Sequence, residues 1–198
     1  MEAIRRLAAA VDTTAVCDAD RDVRVMAPEL RCRSANPVIC GPAVTVRCRG
    51  DFLGVIQAID QARPGDVVVV DGGGERIALA GELFARAALG KRLGGIIVDA
   101  AYRDMRFVST CDLPVYSRHV TPRAGTRSTP ATVNEPVTCG GVKVDPGDLV
   151  LADHDGILVL DPDAAEAQLQ AAATVMDFEA RIVERLDNGV SLTDSLKQ

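Results

Sequence analysis

The stretch Gly94-Gly95-Ile96-Ile97-Val98-Asp99-Ala100-Ala101-Tyr102-Arg103-Asp104 decides how this chain folds. Two glycines stop the preceding segment. Three β-branched apolar residues then read as a strand buried on both faces, the pattern of a covered parallel sheet. An Arg and an Asp follow side by side just past it. Working outward, Val67-Val68-Val69-Val70 has the same character and is entered through the turn Pro64-Gly65-Asp66. Asp71-Gly72-Gly73-Gly74 ends that run, and an Ala-rich stretch from about Ile77 to Leu93 reads as a helix stopped by Gly94-Gly95. Strand, helix and strand make a βαβ unit with an expected right-handed crossover. The turn Ala80-Gly81-Glu82-Leu83-Phe84-Ala85 and the Arg103–Asp104 pair bracket the helical stretch. Their outer ends are therefore expected to meet at one sheet edge, where ligand crevices open outside the carboxyl ends of strands.

Around this unit, residues 2–10 and Thr13 to Asp18 read as short helices, and residues 19–40 show no clear period. Ala43 to Cys48 is a strand after Gly41-Pro42, and Phe52 to Ala62 is helical. Beyond Pro114 the texture changes to short strands: Val115–Tyr116, Thr132–Val137, Val142–Val144, Leu149–Leu151 and Ile157–Leu160. A last helix runs from about 162 to 187. The expected fold is α/β, with a parallel βαβ part packed on antiparallel strands, in one domain spanning residues 1–198.

Composition narrows the function classes. The 198 residues are 47% hydrophobic and 25% charged, with a net charge of -6 and no Trp. No basic tract supplies an electrostatic footprint for nucleic acid. No apolar run approaches the roughly 20 residues that cross a bilayer. Six cysteines without a Cys-x-x-Cys pair, and no secretory segment, point to reduced thiols in a cytoplasmic protein. The only histidines, His119 and His154, stand at no ligand spacing from a cysteine, which argues against zinc.

The Gly72–Gly74 turn lacks the spacing of a P-loop or a dinucleotide fingerprint and reads as a tight turn. The Arg103–Asp104 pair carries more. As a surface ion pair capping a short helix it would contribute little stability. Beside exposed amides of the Gly81-Glu82-Leu83 turn it offers an anion cradle, a fixed cation and an oxygen ligand for a hard metal such as Mg²⁺. Asp99 is expected to cap a turn, or else to orient Arg103. Arg118, His119, Arg123 and Arg127 read as a solvated basic loop, with contact to a distal substrate carboxylate as the alternative.

Together, G-E-L-F-A (81–85), G-G-I-I-V-D-A-A-Y-R-D (94–104) and V-D-P-G-D-L-V-L-A-D-H-D-G-I-L-V-L (144–160) resemble the 4-hydroxy-4-methyl-2-oxoglutarate aldolase and RraA-like family. The resemblance covers roughly residues 40–180. It implies a compact α/β/β sandwich similar to swivelling phosphohistidine domains, a homotrimer or homohexamer with sites between subunits, and a C-terminal helix that contributes to the interface. It also implies class II pyruvate aldolase chemistry with Mg²⁺ or Mn²⁺, acting on a small 2-oxo acid, with oxaloacetate decarboxylation as a side activity. Asp104 matches the metal-binding aspartate and Arg103 the arginine on the pyruvyl oxygens. The backbone of Gly81, Glu82, Leu83 and Phe84 matches the loop that binds the substrate carboxylate. Glu82 matches an acidic position that orients metal-bound water. Glu179 matches a glutamate supplied by the neighbouring subunit.

The chemistry asks for the same parts. Cleaving the C3–C4 bond of a 4-hydroxy-2-oxo acid leaves negative charge that needs a sink. A Schiff-base lysine is one solution, but Lys91, Lys143 and Lys197 lie in no pocket turn. A metal beside Arg103 is the other. The rival reading is a non-catalytic regulator that binds a ribonuclease and inhibits RNA processing. The intact Arg103–Asp104 pair and the presence of Glu179 favour the enzyme.

Overall fold

A computed structural model describes residues 2–197. In chain order the elements are α1 (Glu2–Ala8), α2 (Thr13–Ala19), β1 (Arg24–Val25), β2 (Arg31–Cys32), β3 (Ile39–Arg47) and α3 (Leu53–Gln61). Then come β4 (Val67–Asp71), β5 (Ala78–Ala80), α4 (Glu82–Gly90), β6 (Gly95–Tyr102), α5 (Met105–Val108) and β7 (Val115–Val120). The chain continues through β8 (Val137–Cys139), β9 (Val142–Val144), β10 (Leu149–Ala152), β11 (Ile157–Leu160), α6 (Ala165–Asp187) and α7 (Leu192–Ser195). These form two compact units, one from Arg24 to Pro162 and one from the two ends of the chain.

The larger unit is mixed α/β, as expected. Its main sheet runs β1-β11-β10-β3-β4-β6-β7-β2, with β5 also paired to β6. The strands β3, β4, β6 and β7 are parallel. The strands β10 and β11 join them edge to edge through β3 in antiparallel sense, so both parts share one sheet. Period-2 alternation explains the continuous apolar runs. Val68, Val70, Ile96 and Val98 enter a core with α3 and α4, while Val67, Val69 and Ile97 enter a second core with the β8–β9 hairpin.

Several elements differ from the sequence reading. Gly41-Pro42 is not a turn before β3: the strand runs through both from Ile39, with Gly41 paired to Val150 and Pro42 to Leu149 of β10. The stretch from Ile77 is not one helix: Ala78–Ala80 is a strand and α4 starts only at Glu82. The sheet demands this. β4 pairs with β6 as far as Val70↔Val98, and β5 takes over at Ala101 and Tyr102, whose buried backbone would otherwise lack a partner. Likewise Thr132–Val137 is no strand. Val133 makes a single bridge to Val46, Asn134 turns left-handed at φ 64°, and strand pairing begins only at Val137. The Gly72–Gly74 turn is a tight turn, as read. A Cβ on Gly72 would stand 2.5 Å from Ala100 Cβ and 2.7 Å from Asp99 O.

The second unit is helical. α1 and α2 both pack on α6, and Asp12 caps α2 by accepting from Ala15 N at 2.8 Å. α6 ends at Asp187, where the sequence places its end. No helix of the described residues is long and apolar enough to cross a membrane.

Candidate functional site

The takeover by β5 builds the site. Pairing with the end of β6 brings Ala80-Gly81 beside Tyr102-Arg103, with Arg103 N donating to Ala80 O at 3.1 Å. The buried Tyr102 hydroxyl donates to Gly81 O at 3.2 Å. Burial raises the Tyr102 phenol above its ordinary range, so it stays a neutral donor. The chain then leaves β5 through Gly81 into the N-terminus of α4, and leaves β6 through Arg103 into Asp104.

Asp104 is the unusual residue. It is left-handed at φ 62° and ψ 42°, a conformation that costs a non-glycine residue on the order of 1 kcal/mol or more. It stands at the N-cap position of α5 but makes no side-chain cap there. Its carboxylate therefore does not cap the helix that follows it. Oδ2 instead accepts from Glu82 N, at the start of α4, at 3.0 Å. Arg103 Nε stands 3.5 Å from the same oxygen, and both side chains are near 40% exposed. A long, half-exposed pair of this kind adds little stability. Oδ1 has no hydrogen-bond partner among the described residues.

This approach depends on Gly81. A Cβ there would lie 2.3 Å from Asp104 Oδ2 and 2.8 Å from Arg103 Cγ. Of the amides at 82–84, Glu82 N is given to Asp104 and Phe84 N to Gly81 O. Leu83 N finds no acceptor among the described residues, as expected of an orphan amide in a first helical turn.

Two hollows open from this corner. Glu82, Asp104, Arg106, Phe107 and Thr110 line one of about 490 Å³. Glu82 Oε1 is held there by Arg86 Nε at 2.7 Å, and the Arg86 guanidinium lies 4.2 Å over the Phe107 ring. Arg103 belongs to the other, an apolar cleft of about 250 Å³ floored by Phe52, Ile56, Ile59 and Phe84 and walled by Leu83 and Arg127. Phe52 and Phe84 meet edge to face at 5.6 Å.

The structure thus brings together Gly81, Glu82, Leu83, Phe84, Arg103 and Asp104. Glu179 is an exposed residue of α6, in the helical unit. Asp99 neither caps a turn nor orients Arg103. It is buried on β6, pairs with Arg118 Nε at 2.5 Å and accepts from Gly140 N at 2.8 Å. Arg118 is accordingly not a solvated loop residue but lies on β7 against this carboxylate, which raises its pKa. Sequence reasoning missed Tyr102 as a neighbour of the site, whereas Arg127, read as solvated with contact to a distal substrate carboxylate as the alternative, lines the cleft with Arg103. His154, at no ligand spacing from a cysteine, is exposed.

The donor set bears on the expected metal. Among the described residues no group of three His, Cys, Asp or Glu side chains converges. One carboxylate with a free oxygen, a second carboxylate lining the same hollow, and open space around both suit Mg²⁺ or Mn²⁺. Mg²⁺ in particular keeps several waters and takes only one or two protein carboxylates. The set does not suit a soft metal or a closed structural site. The lysines offer no alternative electrophile. Lys91 Nζ donates to Ile59 O and Asp60 O, while Lys143 and Lys197 are paired to Asp145 and Asp194.

Residues 13–159 match the model of the RraA-like family, described as Aldolase/RraA. A protein of Halalkalibacterium halodurans named "Putative 4-hydroxy-4-methyl-2-oxoglutarate aldolase" is 33% identical over 191 residues, 95% of this chain and 91% of that one. A solved structure of an uncharacterized protein from Pseudomonas syringae pv. tomato superposes with a TM-score of 0.88 at 24% identity. It covers 100% of this chain and 98% of its own, and shows a shared fold. The RNA-processing inhibitor RraA from Thermus thermophilis superposes with a TM-score of 0.70 at 30% identity, covering 75% of this chain and 91% of its own.

Proposed function

The chain belongs to the RraA-like, Aldolase/RraA, family, and from that premise we propose that it is a divalent-metal-dependent lyase. Its reaction is class II aldol cleavage of 4-hydroxy-2-oxo acids, such as 4-hydroxy-4-methyl-2-oxoglutarate, to pyruvate and a carbonyl compound. Decarboxylation of oxaloacetate accompanies it, because that reaction leaves the same charge on the same pyruvyl fragment. The observation that carries this reading is the Asp104 carboxylate. It is turned away from its own helix, with Oδ1 free, beside an Arg103 guanidinium that makes no hydrogen bond of its own.

Arg103 holds the pyruvyl oxygens through its planar fork, which a point charge does not replace. Leu83 N donates to the substrate carboxylate at the positive end of α4. Asp104, with Glu82 lining the same hollow, would hold Mg²⁺ or Mn²⁺, and that ion would supply a Lewis-acid sink for the charge freed on bond cleavage. Glu82 Oε2, the oxygen not bonded to Arg86, takes the proton of the 4-hydroxyl group and later returns a proton to the methylene carbon. Glu179 of a neighbouring copy assists it in a homotrimer or homohexamer.

The expected result is pyruvate release from oxaloacetate and from 4-hydroxy-4-methyl-2-oxoglutarate with Mg²⁺, stopped by EDTA and abolished in Asp104→Ala while the protein stays folded. Turnover indifferent to metal would defeat the reading. The likeness to the Thermus RNA-processing inhibitor supports a second one, a regulator of a ribonuclease. Inhibition of RNA cleavage by a preparation that releases no pyruvate would establish it instead.

A further inference from the structure

We propose that Asp51 is a positioning residue for the substrate cleft: it fastens the 126–129 segment to the start of α3 and so holds Arg127 on the wall that shares the cleft with Arg103. This role rests on the proposed function.

Nothing local in Arg49-Gly50-Asp51-Phe52 marks the residue, because four of its five donors lie 75 to 78 residues away. Asp51 is buried. Its Oδ2 accepts from Thr126 Oγ1 at 2.6 Å, Ser128 N at 2.7 Å, Ser128 Oγ at 3.1 Å and Thr129 N at 3.2 Å. Its Oδ1 accepts from Leu53 N at 2.9 Å, in the first turn of α3. Burial alone would push the carboxyl up, but these bonds outweigh it and hold the group far below the usual carboxylate range. A stable anion at this point is what five converging donors require.

The segment it grips is tied at its start by backbone bonds, Thr121 N donating to Tyr102 O at 3.1 Å, Ala78 N to Arg123 O at 2.8 Å and Gly125 N to Ala78 O at 3.1 Å. Residues 121–130 read Thr-Pro-Arg-Ala-Gly-Thr-Arg-Ser-Thr-Pro, mostly exposed, with no large apolar side chain to bury. Thr126 exchanges backbone bonds with Gly50 and Phe52 at 2.9 Å each. Both neighbours of Arg127 in the chain, Thr126 and Ser128, are therefore tied to the Asp51 turn. Arg127 itself has no hydrogen-bond or ion-pair partner among the described residues, although it lines the cleft floored by Phe52 and Ile56. One carboxylate thus joins the cleft's floor, on α3, to a wall whose residues 127–129 make no other hydrogen bond among the described residues. The guanidinium it places is available to the end of the substrate remote from Arg103.

The test compares Asp51→Asn, Arg127→Ala and the double variant in Mg²⁺-supported turnover of 4-hydroxy-4-methyl-2-oxoglutarate, with amide hydrogen exchange on the same proteins. Asparagine cannot present two acceptor oxygens to the donors of both segments. Each single variant is expected to raise KM about tenfold, with a smaller change in kcat, as for loss of one hydrogen bond to a charged group. The double variant is expected to resemble Arg127→Ala alone. The Ser128 and Thr129 amides should exchange at least about tenfold faster in Asp51→Asn, since the carboxylate that protects them is gone. The pair Thr126→Val with Ser128→Ala removes the hydroxyl donors without touching Asp51, and should reproduce the KM effect if Asp51→Asn does not fold. Effects of Asp51→Asn and Arg127→Ala that multiply, or unchanged exchange at 128 and 129, would overturn the proposal. Absence of turnover in the unsubstituted protein, read before any variant is compared, defeats the proposed function and this role with it.

Discussion

Gly81 sets how closely Asp104 can approach the first turn of α4. Its φ of -168° is extended backbone that any residue adopts, so alanine there meets no backbone strain. The added Cβ meets the Asp104 carboxylate at 2.3 Å, and a side chain that clashes at its flexible end moves away. Gly81→Ala is therefore expected to leave stability within about 1 kcal/mol of the parent, because the displaced Arg103–Asp104 pair is exposed. Turnover should fall by about a hundredfold or more, since a 1 Å misplacement of a working group has that effect. Thermal unfolding and pyruvate release measured on one preparation separate the two, and normal turnover would show that Asp104 works from a different position. At this scale the sequence carried the pair itself, because both partners and the apolar strand before them are contiguous. It did not carry the Tyr102 phenol or the Asp51 turn. Each of these acts across the fold on a group that no local spacing connects to it.

Elements were readable where their period was strong and both faces were covered. The runs 67–70 and 96–98 fall inside β4 and β6, and the last helix ends where its apolar period ends. They were not readable where a neighbour overrides local preference. Ile77-Ala78-Leu79-Ala80 has a helical composition, yet β6 needs a partner past the point where β4 stops, and the edge wins. Asp99 shows the same logic in a side chain. It lies in the decisive stretch beside the site, but its carboxylate joins β6 to Arg118 on β7 and to the Gly140 amide after β8. Removing the charge leaves a mostly buried guanidinium with only a long pair, at 3.5 Å, to the exposed Glu29 carboxylate. Asp99→Asn is expected to destabilise the chain by roughly 3 kcal/mol, as when one partner of a buried pair is removed. A fall in the urea midpoint with an unchanged slope would report it. KM for oxaloacetate in the folded variant should match the parent, because Asp99 touches neither Arg103 nor Asp104. A raised KM with normal stability would return Asp99 to the site.

For the molecule as a whole, buried thiols and phenols set the response to alkali. No cysteine of the described residues is in a disulfide, and Cys48, Cys111 and Cys139 are buried. Burial pushes the Cys48 thiol up from its ordinary value near 9 to about 11, and raises Cys111 and Cys139 as well. The phenols of Tyr102 and Tyr116 are raised by the same cause. For each group the folded-state value lies above the unfolded one, so the unfolded chain loses its proton first. The stability these groups contribute is complete below the ordinary thiol range, near pH 8.5 to 9, and is lost as pH climbs toward and through the folded values. Each thiol can remove up to about 1.4 kcal/mol per pH unit across its own window. The urea midpoint is therefore expected to stay level from pH 7 to about 8.5 and to fall steadily from there to 11. Cys48→Ala should lower the plateau, since it empties space beside Gly54, but should make the alkaline fall shallower. A midpoint that stays flat to pH 11 would mean that these thiols meet water in the native state, and that the two faces of the sheet are less tightly covered than their packing indicates.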